Sequence, residues 1–145
     1  MGLPVFKEAN IVLNAGFADK WEAIKACGQV LVDNGYVSEA YVDDMLERER
    51  SASVYVGNHV AIPHGVANSE VNIHHSGISF VQIPDGVDFG NEKAYVMVGI
   101  AGKDGTHIEM LGSIAMICLD MDNIDTLRNA DTAKEVYEIF SELVS

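Results

Sequence analysis

A histidine held between a proline and a glycine is the residue of this sequence best placed to do chemistry. The apolar run Val60-Ala61-Ile62 ends at Pro63-His64-Gly65. Proline has a fixed φ and favours an extended conformation in the residue before it, and glycine lets the backbone turn and come close to a ligand or a partner. His64 is therefore predicted at the end of a strand, on a rigid stretch of backbone. This position suits a nucleophile or a ligand better than a core side chain.

A second histidine is predicted at the start of a helix. The segment Gly102-Lys103-Asp104-Gly105 leads into Thr106-His107-Ile108-Glu109, in which the threonine and the glutamate have the spacing of a capping box. This pattern places His107 in the first helical turn. Free backbone N–H groups and the positive end of the helix dipole make such a helix start favourable for an anion.

Two histidines and an arginine are the residue types needed to handle a phosphoryl group without a metal. Histidine is nucleophilic near neutral pH when one ring nitrogen is unprotonated and a hydrogen bond holds the other. The charge on the transferred phosphoryl oxygens is stabilised by an arginine or by a helix N-terminus. The arginines of the run Glu47-Arg48-Glu49-Arg50 are, on composition alone, typical of a solvated helix end.

Other kinds of site have less support in the sequence. No two histidines have the i, i+4 helical spacing of the metallohydrolases, and no Cys-x-x-Cys motif accompanies them. The Gly-x-Ser-x-Gly elbow of acyl transfer is absent, and the segment from Gly102 lacks the second half of the nucleotide-binding loop. We therefore expect no metal and no cofactor. His59, His74 and His75 are interpreted as surface or loop residues.

Length, charge and hydropathy restrict the class of protein. A chain of 145 residues that is 48% hydrophobic can bury one core, so we expect a single domain over residues 1–145. The net charge of -13 would repel nucleic acid and anionic lipid and favour basic partners. No signal-like segment opens the chain and no window is apolar enough to span a bilayer, which predicts a cytoplasmic protein. Cys27 and Cys118 lie in apolar helical patterns and are interpreted as buried thiols.

Helical periodicity predicts helices on both sides of the His64 segment. Asp19 is expected to cap a first helix, with Glu22 as its capping-box partner, and Ser38 to cap a second helix that ends in the charged run at 47–50. The helix of His107 should continue to Cys118. A short helix over 123–129 and a last helix opening at Thr132 complete the prediction.

Strands are predicted between the two helical regions. Residues 54–56 and 60–62 form two short candidates separated by a turn, and 76–83 form a longer one that the turn sequence Pro84-Asp85-Gly86 should end. Residues 95–101 are almost all apolar, as is typical of a central strand covered on both faces. The predicted fold class is α/β, a single-domain layered sandwich in which helices flank a mixed β-sheet on both faces.

Four motifs give the sequence a resemblance to a known family. They are Met45-Leu46-Glu47-Arg48-Glu49, Gly57-Asn58-His59-Val60-Ala61-Ile62-Pro63-His64-Gly65, Val81-Gln82-Ile83-Pro84-Asp85-Gly86-Val87, and the run from Val98 to His107. In this order and at this spacing they resemble the EIIA component of the bacterial phosphoenolpyruvate-dependent sugar phosphotransferase system, mannitol/fructose class (type 2), and most closely its mannitol branch. The resemblance covers nearly the whole chain and implies the same layered fold.

The resemblance implies a role for each candidate residue. His64 matches the histidine that accepts a phosphoryl group from the carrier protein HPr and passes it to a cysteine of EIIB, so the protein would be a phosphotransferase component with a phosphohistidine intermediate. His107 matches the second histidine of the site, and Arg48 matches the arginine that accompanies it. This implied role replaces the interpretation of Arg48 as a solvated charge. The family carries the phosphoryl group on Nε2, so Nδ1 of His64 should be the hydrogen-bonded nitrogen. Val66 departs from the usual threonine, and no role is assigned to it.

The implied partners are phospho-HPr as donor and the EIIB or EIIBC of a sugar permease as acceptor. An EIIA does not bind the sugar directly, and mannitol is inferred only from likeness to one branch. Because the chain ends soon after the last predicted helix, we expect a free-standing EIIA. A regulatory EIIA-like domain, in which phosphorylation of His64 controls binding to another protein, is the alternative, since both roles need the same site.

Overall fold

A mixed five-stranded sheet lies between two layers of helices. The computed structural model describes residues 4–144, with side chains described from 4 to 141. The strands are β1 Ile11–Val12, β2 Tyr55–Gly57, β3 Val60–Ala61, β4 Gly77–Asp88 and β5 Lys93–Ala101. The helices are α1 Lys20–Asp33, α2 Ala40–Ser51, α3 His107–Cys118, α4 Met121–Asn129 and α5 Ala133–Val144. Within residues 4–144 no helix has both the length and the apolar character that crossing a bilayer requires.

The strand order places the most apolar strand inside the sheet. The order is β1-β4-β5-β3-β2, with β4 antiparallel to β5, and β1 and β3 parallel to β4 and β5 respectively. β5 therefore has a neighbour on each side, as its continuous run of apolar residues predicts. The short strands β2 and β3 pair antiparallel across the Gly57-Asn58 turn, which confirms the predicted hairpin.

Each face of the sheet has its own apolar core. On one face α1 and α2 pack over a buried group that includes Ile24, Leu31 and Met97. On the other face α3, α4 and α5 cover a group that includes Phe80 and Phe140. Burying one such side chain contributes about 1.5–3 kcal/mol, so both helical layers are held to the sheet by apolar burial. The predicted sandwich, with helices on both faces of a mixed sheet, is confirmed.

The predicted turn at Pro84-Asp85-Gly86 is wrong. β4 continues through these residues to Asp88, and its pairing with β5 changes register between Gln82 and Val87. Gly86 has a φ of 74°, which suits a bulge in the strand as well as it suits a turn. The chain reverses later, where the N–H of Phe89 donates to the carbonyl oxygen of Glu92 at 2.8 Å.

Two of the predicted helix caps are also wrong. Asp19 caps α1 as expected, since its carboxylate accepts the N–H of Glu22 at 3.0 Å. The hydroxyl of Ser38 instead lies 3.3 Å from Oδ1 of Asn72, and the hydroxyl of Thr106 donates to the carbonyl oxygen of Lys103 at 2.8 Å. A serine or threonine hydroxyl can hydrogen-bond either to an N–H group of the helix or to an acceptor in a nearby loop. At Ser38 and Thr106 it bonds to the loop acceptor.

Candidate active site

His64 lies where the chain leaves the sheet. Beyond β3, Pro63 still belongs to the ladder, because its carbonyl oxygen accepts the N–H of Ile100 at 2.9 Å. His64 itself stands opposite Ile100 in a last parallel bridge. The histidine is half-buried. This is the strand-end position that the proline and glycine predict.

A backbone hydrogen bond determines which ring nitrogen of His64 is free. Nδ1 lies 2.8 Å from the carbonyl oxygen of Ile62. A carbonyl oxygen can only accept, so the proton of the neutral imidazole must be on Nδ1. Nε2 then carries the lone pair. The contact is local, and it depends on the extended backbone that Pro63 requires of the residue before it.

The structure brings all three predicted site residues to one cavity of about 350 Å³. Arg48 comes from α2, His64 from the end of the strand, and His107 from the start of α3. The loop that follows His64 and the glycine before α3 complete the wall: Tyr41, Gly65, Val66, Ala67, Asn68, Ser69, Glu70, Ile73 and Gly102. Among residues 4–141, no group of three or more His, Cys, Asp or Glu side chains is arranged to hold a metal ion.

Arg48 lines the cavity without a carboxylate partner among the described residues. Glu47 pairs instead with Arg50, at 3.0 Å and with both side chains more than half exposed. The guanidinium of Arg48 donates one hydrogen bond, to the carbonyl oxygen of Ala52 at 2.5 Å, and the residue is half-buried. Its other donors are available for an anion. Arg50 is thus an exposed charge, as composition suggests, whereas Arg48 is half-buried and lines the cavity.

His107 reaches the cavity because a glycine lets the helix start come close. A Cβ on Gly102 would lie 2.3 Å from the backbone nitrogen of His107, which only glycine permits. His107 is the first residue of α3, and Glu70 fixes the turn before it by accepting the N–H of Gly105 at 2.7 Å. The N-terminal end of α3, which carries the positive end of the helix dipole, therefore lies at the cavity, and no threonine side chain caps it.

The surroundings of His64 favour its neutral form. Burial lowers the pKa of its imidazole below the ordinary value, since the charged ring loses solvation, and the nearby charges of Arg48 and His107 lower the pKa further. The hydrogen bond to Ile62 opposes this shift without cancelling it. His64 is therefore unprotonated at Nε2 at neutral pH, as a nucleophile must be.

We expect the imidazole of His64 to titrate below 6.5, its ordinary pKa. Because the pKa is lower in the folded than in the unfolded chain, protonation costs folding stability as the pH falls through the unfolded value toward the folded one. NMR titration of the His64 ring measures the midpoint directly. Arg48→Ala and His107→Ala should each raise the midpoint, since each removes a charge that opposes protonation. A midpoint at or above 6.5 in the unchanged protein would contradict this account.

The remaining residues with reactive side chains lie away from the cavity. His59, His74 and His75 do not line it, in agreement with their interpretation as surface or loop residues. Cys27 and Cys118 are buried, and burial raises the pKa of their thiols to about 12 and about 11.

Sequence reasoning missed Tyr41 and Glu70, which line the cavity beside His64. The sequence signal for Tyr41 was a tyrosine in the apolar stripe of α2, because a buried tyrosine hydroxyl needs a hydrogen-bond partner.

Comparison of the sequence with known protein families first identifies the class of protein. The family described as "Phosphoenolpyruvate-dependent sugar phosphotransferase system, EIIA 2" matches residues 4–143. The chain therefore belongs to that family and is a phosphotransferase component, as the four motifs predict.

Individual relatives are similar over nearly their full lengths. The mannitol-specific phosphotransferase enzyme IIA component of Geobacillus stearothermophilus is 46% identical, over 99% of each chain. The IIA mannitol crystal structure from Escherichia coli is 35% identical with a TM-score of 0.86, covering 92% of this chain and 97% of that one. A complex of the Escherichia coli mannitol enzyme IIA with phosphorylated enzyme IIB is 34% identical with a TM-score of 0.89, covering 94% and 97%.

Proposed function

We propose that this chain relays a phosphoryl group from phospho-HPr to a cysteine of its EIIB, and that His64 carries the group. The observation that carries the proposal is the 2.8 Å contact of Nδ1 with the Ile62 carbonyl oxygen, which leaves Nε2 free in a cavity shared with Arg48 and His107. The relatives named for mannitol support mannitol as the sugar of the system. The sugar itself would not contact this protein.

In the first step, Nε2 of His64 attacks the phosphorus in line. The bond from phosphorus to Nε2 forms while the bond to the donor atom of HPr breaks, and the proton stays on Nδ1, hydrogen-bonded to the Ile62 carbonyl oxygen. The guanidinium of Arg48 and the N-terminal end of α3 stabilise the charge on the transferred oxygens. In the second step a cysteine thiolate of EIIB attacks the same phosphorus, and the pair of electrons returns to Nε2.

The rim of the cavity fits a protein partner better than a small molecule. Val71 is 84% exposed and Ile108 is 71% exposed, and they adjoin the cavity residues Glu70 and His107. Exposed apolar side chains beside a reactive group are typical of a docking surface. The net charge of -13 favours partners with a basic face. We propose that residues 1–145 act as one domain, in the cytoplasm.

The two half-reactions test this proposal separately. The protein is incubated with radiolabelled phospho-HPr, isolated, and then mixed with EIIB from a mannitol system or a fructose system. We expect one acid-labile label per chain, followed by its transfer to the mannitol EIIB. Label that is accepted but never delivered to any EIIB would favour the regulatory alternative. Absence of label after incubation with phospho-HPr would contradict both roles.

His107→Ala should slow phosphoryl uptake about tenfold without abolishing it. The substitution removes a side chain at the cavity edge but leaves Nε2 of His64 and the backbone N–H groups of α3 in place. Initial rates of label uptake from phospho-HPr measure the effect. His74→Ala is the matched control, because His74 is exposed and does not line the cavity. A full rate in the His107 variant would remove this residue from the mechanism.

A further inference from the structure

The hydroxyl of a buried tyrosine hydrogen-bonds both to the backbone directly after His64 and to the backbone of the neighbouring strand β5. Tyr41, from α2, is only 2% exposed. Its hydroxyl donates to the carbonyl oxygen of Ile100 at 2.7 Å and accepts the N–H of Gly65 at 2.9 Å. Burial raises the pKa of Tyr41 to about 12, so the hydroxyl keeps the proton that it donates.

The position of this hydroxyl in the ladder is unusual. The N–H of Ile100 already donates to Pro63, so the next parallel rung would run from the N–H of Gly65 to the carbonyl oxygen of Ile100. The hydroxyl of Tyr41 hydrogen-bonds to both ends of that rung. The chain is thereby attached to β5 directly before His64 and through a side chain after it. His64 lies between these two attachments.

Gly65 is needed for this contact rather than for a left-handed backbone. A Cβ at Gly65 would lie 2.7 Å from Cε1 of Tyr41 and 2.7 Å from Oγ of Ser69. Its φ is not among the positive values of the described residues. The sequence interpretation of Gly65 as a turning residue is thus replaced by a packing requirement, since the tyrosine ring lies against its Cα.

We propose that Tyr41 is a positioning residue for phosphoryl transfer, whose hydroxyl ties Gly65, directly after His64, to Ile100 of β5 so that Nε2 stays directed at the cavity. Both hydrogen bonds of the hydroxyl go to the backbone, so Tyr41 acts through His64 and not on the phosphoryl group. The kinetic part of this inference rests on the proposed relay. The geometric part does not, because it concerns the protein before any phosphoryl group arrives.

Tyr41→Phe removes the hydroxyl and keeps the ring. The N–H of Gly65 then loses its hydrogen bond to the hydroxyl, and its hydrogen exchange should become at least about tenfold faster. The two ring nitrogens of His64 should shift in ¹⁵N NMR spectra toward a mixture of tautomers as the Nδ1 contact with Ile62 loosens. The maximal rate of uptake should fall about tenfold with an unchanged KM for phospho-HPr, because Tyr41 is buried away from any docking partner.

Tyr36→Phe is the matched control. Tyr36 is also fully buried, and its hydroxyl bonds to Asn10 and to the carbonyl oxygen of Pro4 without lining the cavity. It should lose stability while the exchange of Gly65, the His64 ring shifts and the uptake rate stay unchanged. Should Tyr41→Phe not fold, Gly65→Ala disturbs the same contact from the other side and should produce the same spectroscopic changes.

The outcomes separate this inference from the relay itself. Unchanged Gly65 exchange and His64 ring shifts in Tyr41→Phe would overturn the positioning role even if the unchanged protein relays phosphate normally. Equal slowing by Tyr41→Phe and Tyr36→Phe would also overturn it, because the effect would then be general destabilisation. If the unchanged protein takes nothing from phospho-HPr, the proposed relay fails, and the two NMR measurements still decide whether Tyr41 positions His64.

Discussion

His64→Ala is expected to abolish the uptake of a phosphoryl group from phospho-HPr. The acceptor atom Nε2 is lost, and the other cavity histidine, His107, is exposed at the start of α3. Removing a covalent nucleophile typically costs about 10⁴-fold or more in rate. The measurement is the acid-labile label retained by the isolated protein.

The matched control for this substitution is His75→Ala. His75 is exposed and does not line the cavity, so its removal should leave uptake unchanged. His64→Ala should remain folded, because it gives up one net hydrogen bond, worth about 1 kcal/mol. Undiminished uptake by a folded His64→Ala variant would mean that the nucleophile lies elsewhere, and His107 would be tested next.

Arg48→Ala is expected to slow uptake about 100-fold, the usual cost of removing one preorganised charge-stabilising group. The guanidinium lines the cavity beside His64 and has no carboxylate partner among the described residues, so its charge is directed at the incoming group. Arg48→Lys should recover part of the rate, since it restores the charge without the planar fork of donors. Initial rates at saturating phospho-HPr measure both effects.

Arg50→Ala is the control that tests the assignment of the arginine. It removes the same charge two residues away, from a side chain that is 58% exposed and paired with Glu47. Such exposed pairs contribute at most about 1 kcal/mol, so uptake should be unchanged. If the two alanine variants slowed transfer equally, the effect would come from the net charge of the protein and Arg48 would have no special role.

The difference between Arg48 and Arg50 shows what local sequence leaves open. The two residues share one charged run, yet positions i and i+2 point about 200° apart around a helix axis. Which of them faces the cavity depends on how α2 packs on α1 and the sheet. The family motif selected Arg48 where composition alone had no basis for a choice, and the structure places it in the cavity.

The sequence by itself determined the features that depend on neighbouring residues. The continuous apolar run of β5, the Asp19 cap and the strand-end position of His64 each follow from local preferences of a few residues. Proline restricts the backbone at Ile62, and a carbonyl two residues before a histidine is close enough to orient its ring.

Only the tertiary structure decided the features that depend on contacts distant along the chain. The bulge at Pro84-Asp85-Gly86 depends on pairing with β5, because a proline and a glycine are acceptable in a turn and in a bulge alike. The role of Tyr41 depends on Gly65 and Ile100, which lie 24 and 59 residues away in sequence. A buried hydroxyl must find a hydrogen-bond partner, but the partner is chosen by the packing of α2 against the end of the sheet.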